Sequence, residues 1–280
     1  LKVHFELCPD FFESVYILFI LSKKICLCME FFMLNQSSDT LLIIPAYNEE
    51  ESIGILLDDI ARNATHLDVL VISDGSDDRT VEIALAKGVK ALDLPCNLGV
   101  GGAMQAGFRY AFESGYSYVI RCDADGQHPP SEIHKLEKAI KSRNADLVIG
   151  SRFMGATSYK STKFRFCGIT GLSWFLSLIC RKRVTDPTSG FQAFNRLLMF
   201  FFSRFYPTDY PESEALALLT RQGYNFDEIA VSFQKRQAGT SSIHGWGTFY
   251  YVVKVFLALL IDRAKPVNPR YARSVVREII

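Results

Sequence analysis

The chain has 280 residues, 49% apolar and 22% charged, the balance of an ordinary folded protein. That length holds one large α/β domain or two small ones. A net charge of +1 argues against a dedicated nucleic-acid binder, and seven cysteines with no CxxC pair argue against a disulfide frame or zinc site. Reduced thiols in a cytoplasmic protein fit better. The even total hides two basic stretches: Lys160 to Arg183 has six Lys/Arg and no acid, and Lys235 to the end has eight against two acids. Joined to an acidic remainder, they fit either a surface that meets anionic lipid or two solvated helical faces.

Residues 1–33 read as an apolar N-terminal extension. Their longest clean apolar run, Val15 to Leu21, falls short of the about 20 residues that cross a bilayer. No basic start and small-residue cleavage site mark a signal peptide. Met33 is a candidate initiator, and a peripheral anchor is the alternative.

From Thr40 a strand-helix rhythm begins. The expected strands are Thr40 to Pro45, Val69 to Ser73, Val89 to Leu94, Tyr118 to Cys122 and Asp146 to Gly150. The helices between them are Glu50 to Asn63, Arg79 to Lys87, Val100 to Ser114 and Ser131 to Ser142, with Gly88 and Gly115 closing two of them. Such alternation implies an α/β fold with a doubly wound, mostly parallel sheet. Its ligands bind at the carboxyl ends of the strands. Further on come an apolar helix (Phe164 to Cys180), a small α+β element (Pro187 to Ser232), an apolar helix (Thr248 to Ile261) and a basic tail. Residues 34–243 are expected to form the main domain, and 244–280 an amphipathic helix and tail.

The polar motifs fall at the strand ends. Asp123-Ala124-Asp125 follows the fourth strand directly. Two residues apart in extended backbone point the same way, so both carboxylates can share one hard cation such as Mg²⁺ or Mn²⁺. Helix capping is the competing reading. Asp74 leaves the second strand, where it can touch a ligand, whereas Asp77 and Asp78 suit capping. The loop Asn97-Leu98-Gly99-Val100-Gly101-Gly102 is neither a Walker loop nor a dinucleotide fingerprint, since Met104 stands at the third glycine position. It serves either close approach to a nucleotide or tight helix packing.

Together these segments resemble the family 2 glycosyltransferases: PAYNEE, SDGSDDRT, NLGVGGAMQAGF, DADGQHPP, GSRF and TDPTSGF, in the family's order between Leu41 and Ser242. DADGQHPP and TDPTSGF look most like the polyprenyl-phosphate sugar synthase branch, which includes dolichyl-phosphate mannose synthase. The resemblance implies a GT-A fold with a small α+β acceptor-side half. It also implies a metal-dependent, inverting transfer from a nucleotide-sugar donor to a polyprenyl phosphate or a glycan hydroxyl. It places Pro45, Tyr47, Glu49 and Asp74 at base and ribose, and Asp123, Asp125 and Gln127 at the metal. Arg152 and Arg236 fall near the phosphates; Glu212 falls where the catalytic Asp normally lies, with Glu214 or Asp186 behind it. A peripheral position on the inner face of the cytoplasmic membrane, a membrane partner and a homo-oligomer are compatible with it. A nucleotidyltransferase is the first rival, though PAYNEE is acidic where that enzyme wants a basic glycine loop. A non-catalytic carbohydrate- or lipid-binding partner is the second.

Overall fold

Seven strands form one sheet in the order β3-β2-β1-β4-β6-β5-β7 in the computed structural model, which describes residues 38–154, 163–208, 210–234, 254–260 and 269–280. The strands are β1 (Thr40–Ala46), β2 (Asp68–Ser73), β3 (Lys90–Asp93), β4 (Tyr118–Arg121), β5 (Leu147–Ser151), β6 (Gln192–Asn195) and β7 (Phe226–Ala230). Neighbours run parallel except at β6, which is antiparallel to both β4 and β5. The helices are α1 (Ile53–Asn63), α2 (Thr80–Ala86), α3 (Gly99–Glu113), α4 (Ile133–Ser142), α5 (Lys163–Cys180), α6 (Arg196–Phe202) and α7 (Pro211–Arg221).

The apolar strands are buried on both faces because helices cover both. Side chains alternate along β1: Leu41 and Ile43 enter one core with Met104, Phe108, Leu198 and Leu216, while Leu42 and Ile44 enter another with Ile53, Leu57, Leu136 and Ile140. Pro45 fits within β1 because β4 has already ended; it faces only Ile72 of β2, and β1 pairs with β4 no further than Ile43 opposite Arg121.

The glycines of α3 serve packing. A Cβ at Gly107 would stand 2.4 Å from Ile72 Cδ1, and one at Gly101 would stand 2.2 Å from the Pro207 carbonyl oxygen. Of the two readings of this glycine run, tight helix packing is the one these contacts support.

The segment after Pro187 adds β6 and β7 to the same sheet. The antiparallel direction of β6 matters for the site. Its first residue, Gln192, lies opposite Arg121, the last of β4, so the loop before β6 arrives at the carboxyl end of β4. The basic tail also returns to the domain. Asp146 is fully buried and accepts from Asn195 Nδ2 (2.8 Å), Asn225 N (2.7 Å) and Arg273 Nε (2.6 Å). The helix expected over Thr248 to Ile261 is helical at 254–260, and the rest of that span lies outside the described residues. Among the described residues no helix is long and apolar enough to cross a membrane.

Candidate active site

The loops after β1 and β2 are built as one unit. Asn48 takes a positive φ of 52°, tolerable for an asparagine. Its N–H then donates to Ser76 Oγ (3.1 Å), and its Oδ1 accepts from Asp77 N (2.9 Å). Glu49 N donates to Thr80 Oγ1 (2.9 Å) and Glu50 N to Asp78 Oδ2 (2.9 Å). Burial would raise the Asp78 carboxyl, but hydrogen bonds from Thr80 and Glu50 outweigh it and hold it below its ordinary range. Asp78 Oδ1 accepts from Thr80 N (2.9 Å), a capping role at the start of α2. The Glu49 carboxylate accepts from Ser52 Oγ.

Asp74 is buried between these loops and the next. Its N–H donates to Ala46 O (2.9 Å), and its Oδ1 accepts from Leu98 N (2.7 Å). Gly75 makes this junction fit: its φ is 66°, and a Cβ there would lie 2.6 Å from the Cys96 carbonyl carbon. Three loops therefore meet around Asp74, and the Tyr47 ring stands half exposed at their rim.

Beyond β4 the chain leaves the extended conformation. The strand ends at Arg121, and Ala124 and Asp125 already lie in a turn. The strand alternation expected to align Asp123 with Asp125 therefore does not apply. Both acids sit instead in a folded loop beside His128 and Cys122, and the charge of each acts on both of those groups. His128 is the pin of that loop. Its buried ring stacks on Phe191 (4.8 Å, 13°), and its Nδ1 accepts from Asp123 N (3.0 Å). Burial pushes its pKa down, which keeps that nitrogen an acceptor. Asp125 Oδ1 accepts from Gln127 N (3.0 Å), and Gln127 O accepts from Gln234 N (3.0 Å), so the Gln127 backbone is fixed on both sides.

No group of three or more His, Cys, Asp or Glu converges as a metal cage among the described residues. Two carboxylates at a strand end, Asp123 partly exposed and Asp125 buried, fit a hard divalent ion that takes its other ligands from substrate phosphates.

The remaining acids sort by partner. Asp186, wholly buried, takes a two-pronged bond from Arg152: Nε to Oδ2 (2.7 Å) and Nη2 to Oδ1 (2.6 Å), with Arg152 N also on Oδ2 (3.0 Å). Both carboxylate oxygens are thereby engaged, which suits a brace for Arg152 better than a proton acceptor. Glu228 in turn holds the Asp186 loop, accepting from Thr185 N (2.9 and 2.8 Å) and Asp186 N (3.1 Å).

Glu212 stands in the first turn of α7, and its Oε1 lies 2.7 Å from Arg121 Nη1. Arg121, at the end of β4, is 3% exposed and also donates from Nε to Asp123 Oδ1 (2.9 Å). Burial opposes its charge, but Asp123 and Glu212 more than restore it. Glu214 lies two helical positions on, so it does not share a face with Glu212. Arg236 lies outside the described residues.

Sequence reasoning missed Arg121, Glu228 and the pinning role of His128. The first two carried a legible signal: Arg121 ends the otherwise apolar strand YVIR, and Glu228 is an acid in the middle of the strand FDEIA.

A mostly parallel sheet whose carboxyl ends carry linked acidic loops, two carboxylates after β4 and a buried arginine is the arrangement that the GT-A resemblance implies. The chain matches the model of glycosyl transferase family 2 over residues 41–201, more than half its length, and belongs to that family. The UDP-N-acetylglucosamine–dolichyl-phosphate N-acetylglucosaminyltransferase of Methanococcus voltae is 29% identical over 79% of this chain and 97% of that protein. The undecaprenyl-phosphate mannosyltransferase of Micrococcus luteus is 32% identical over 73% and 87%. Among solved structures, glucosyl-3-phosphoglycerate synthase from Mycobacterium tuberculosis, crystallised with Mn²⁺, UDP and its product, superposes with a TM-score of 0.61 at 18% identity, covering 80% of this chain and 79% of that one. At that identity the likeness concerns the fold.

Proposed function

We propose that this chain transfers a sugar, with inversion, from a nucleotide-sugar donor to a polyprenyl phosphate. The observation that carries the reading is the Asp123–Asp125 turn at the carboxyl end of β4, with the joined β1 and β2 loops on one side and Glu212 on the other. Pro45, Tyr47, Glu49 and Asp74 form the donor's base and ribose side, with Tyr47 offering its exposed ring. Asp123 and Asp125, with Gln127 beside them, would hold Mg²⁺ or Mn²⁺. A bound ion of that kind neutralises the diphosphate as it leaves. Arg152, locked by Asp186, supplies fixed positive charge to the same phosphates, and Arg236 is the second phosphate arginine of the reading.

The state of the acids favours a phosphate acceptor over a glycan hydroxyl. A hydroxyl must lose a proton, whereas a phosphate arrives ionised. Glu212 is held against Arg121 and Asp186 against Arg152, so each is disposed to orient a neighbour. Glu212 lines the acceptor side; Glu214, in the same first turn of α7, belongs to the same segment but points to another face. The names of the Methanococcus and Micrococcus relatives point to the same acceptor class.

A lipid-linked acceptor calls for a membrane-facing surface. Trp174 (69% exposed) and Leu178 (64%) stand out from α5, and Leu257 and Leu260 from the 254–260 helix beside it. The two helices are joined by Phe175 stacked on Phe256 at 4.0 Å. Exposed Arg181 and Arg183 close the end of α5. Apolar residues framed by cations suit an anionic bilayer surface, peripheral on its cytoplasmic side.

The test is a thermal-shift screen of nucleotide sugars with Mn²⁺, followed by transfer from the best donor to a short-chain polyprenyl phosphate. One donor should raise the midpoint by mass action. Asp125→Ala should fold, lose that shift and lose transfer by at least about a hundredfold. Undiminished transfer by that variant, or by wild type in excess chelator, contradicts the proposal.

A further inference from the structure

Arg121 is a charged residue in the middle of the sheet, and packing gives it no reason to be there. Its neighbours on β4 are Val119 and Ile120, both fully buried. Replacing buried ion pairs by apolar groups of like volume is often neutral or stabilising, so stability alone does not explain its presence. The geometry is also not that of a pair built for stability. Nη1 is 2.7 Å from Glu212 Oε1 but outside good hydrogen-bond alignment with any acceptor among the described residues, and the buried Tyr206 hydroxyl lies beside the same guanidinium.

We propose that Arg121 is a positioning residue that holds the donor-side carboxylate Asp123 and the acceptor-side carboxylate Glu212 at one fixed separation. This inference rests on the donor and acceptor sides assigned above. The Arg121 backbone is anchored on both edges, opposite Ile43 on β1 and Gln192 on β6. Nε reaches Asp123, two residues on, and Nη1 reaches Glu212, on a helix far along the chain. That helix is itself tied down, by Ser213 Oγ donating to Pro187 O (2.9 Å). Gly190 closes the cage. A Cβ at 190 would stand 2.5 Å from Asp123 Oδ2 and 3.0 Å from Arg121 Nη2, so the backbone there is the wall against which both side chains sit. Only a planar fork spans two acids in this way; a lysine ammonium is one point on a flexible stem.

The arrangement has a signature that simple scaffolding lacks. A fixed cation beside Asp123 weakens the pull of that carboxylate on a divalent ion. Removing the cation should therefore tighten metal binding while it slows transfer. Damage to a scaffold would lower both.

The experiment compares full-length wild type, Arg121→Lys and Arg121→Met. Free Mn²⁺ is followed by electron paramagnetic resonance without any donor. Turnover and donor KM are measured with the nucleotide sugar that the thermal screen selects. Arg121→Met should bind Mn²⁺ at least about threefold more tightly than wild type, and Arg121→Lys within about twofold. Both should lose about tenfold or more in kcat with donor KM little changed, the mark of lost orientation. Should Arg121→Met fail to fold, Arg121→Met/Glu212→Gln against Glu212→Gln carries the same comparison without the acid left unbalanced. Weaker or equal Mn²⁺ binding on loss of the guanidinium, or unchanged turnover, overturns the inference and leaves the transferase reading standing. Wild type that neither binds Mn²⁺ nor transfers sugar overturns both.

Discussion

The Arg152–Asp186 pair makes the sharpest claim about energy. Asp186→Asn keeps the side-chain shape but removes the counter-charge that a 7% exposed guanidinium is bonded to through two N–H groups. Breaking a buried pair from one side costs about 3–5 kcal/mol, because a charge is left in a poorly solvating place. A domain of this kind is stable by about 5–15 kcal/mol, so the variant should unfold at a clearly lower urea concentration with an unchanged slope. Replacing both partners, Arg152→Met with Asp186→Leu, removes the desolvation cost together with the attraction. That variant should regain part of the lost stability, short by the about 1–3 kcal/mol that the Arg152 backbone N–H costs once its Oδ2 acceptor is gone, and yet show no transfer. Equilibrium urea unfolding by tryptophan fluorescence measures the first quantity, and an endpoint transfer assay the second. A loss below about 1 kcal/mol in Asp186→Asn would refute the buried-pair reasoning. So would a double variant no more stable than the single one.

Gly101→Ala gains helix propensity of about 1 kcal/mol but drives a methyl group into the Pro207 carbonyl and the Thr208 backbone, so a net loss of about 1–2 kcal/mol is expected in urea unfolding. Glu228 predicts a pH effect. Burial lifts its carboxyl above the ordinary 4.5, and the amide hydrogen bonds from Asp186 and Thr185 lower it without cancelling the rise. Its folded pKa being the higher one, the stabilising contribution is complete below the unfolded value and is lost as pH climbs through the folded value. Stability of Glu228→Gln relative to wild type should therefore increase from pH 4.5 towards neutrality, and parallel profiles would contradict this. Trp174→Glu/Leu178→Glu should cut sedimentation with anionic vesicles severalfold while leaving the unfolding midpoint unchanged, since both side chains are mostly exposed.

How far the sequence could be read follows from which forces leave local marks. Apolar strands and amphipathic helices do, because burial repeats with the period of the element. All five strands expected in the first half are present, shifted by a residue or so at their ends, and α1 buries Ile53, Leu56, Leu57 and Ile60 as its spacing requires. Loop positions at the carboxyl ends were legible for the same reason. What loops do after leaving a strand was not. Asp123 and Asp125 lie in a turn pinned on His128, by a contact between a ring and a backbone amide that no spacing rule encodes.

The pairing of acids with arginines was the least legible part, and the reason is topological. Asp186 meets Arg152, and Glu212 meets Arg121, because β6 runs antiparallel between β4 and β5 and carries the Asp186–Gly190 loop to the strand ends. From sequence alone Asp186 and Glu212 both counted as candidate bases, since each is an acid in a motif. Each holds a guanidinium, which is why the proposed function gives both an orienting role. The chemistry then shifts toward an acceptor that needs no proton removed. A charge within or ending a predicted strand was the one clue in the sequence to this network. Arg121 and Glu228 both gave it, and both prove to hold the loops that carry the acids.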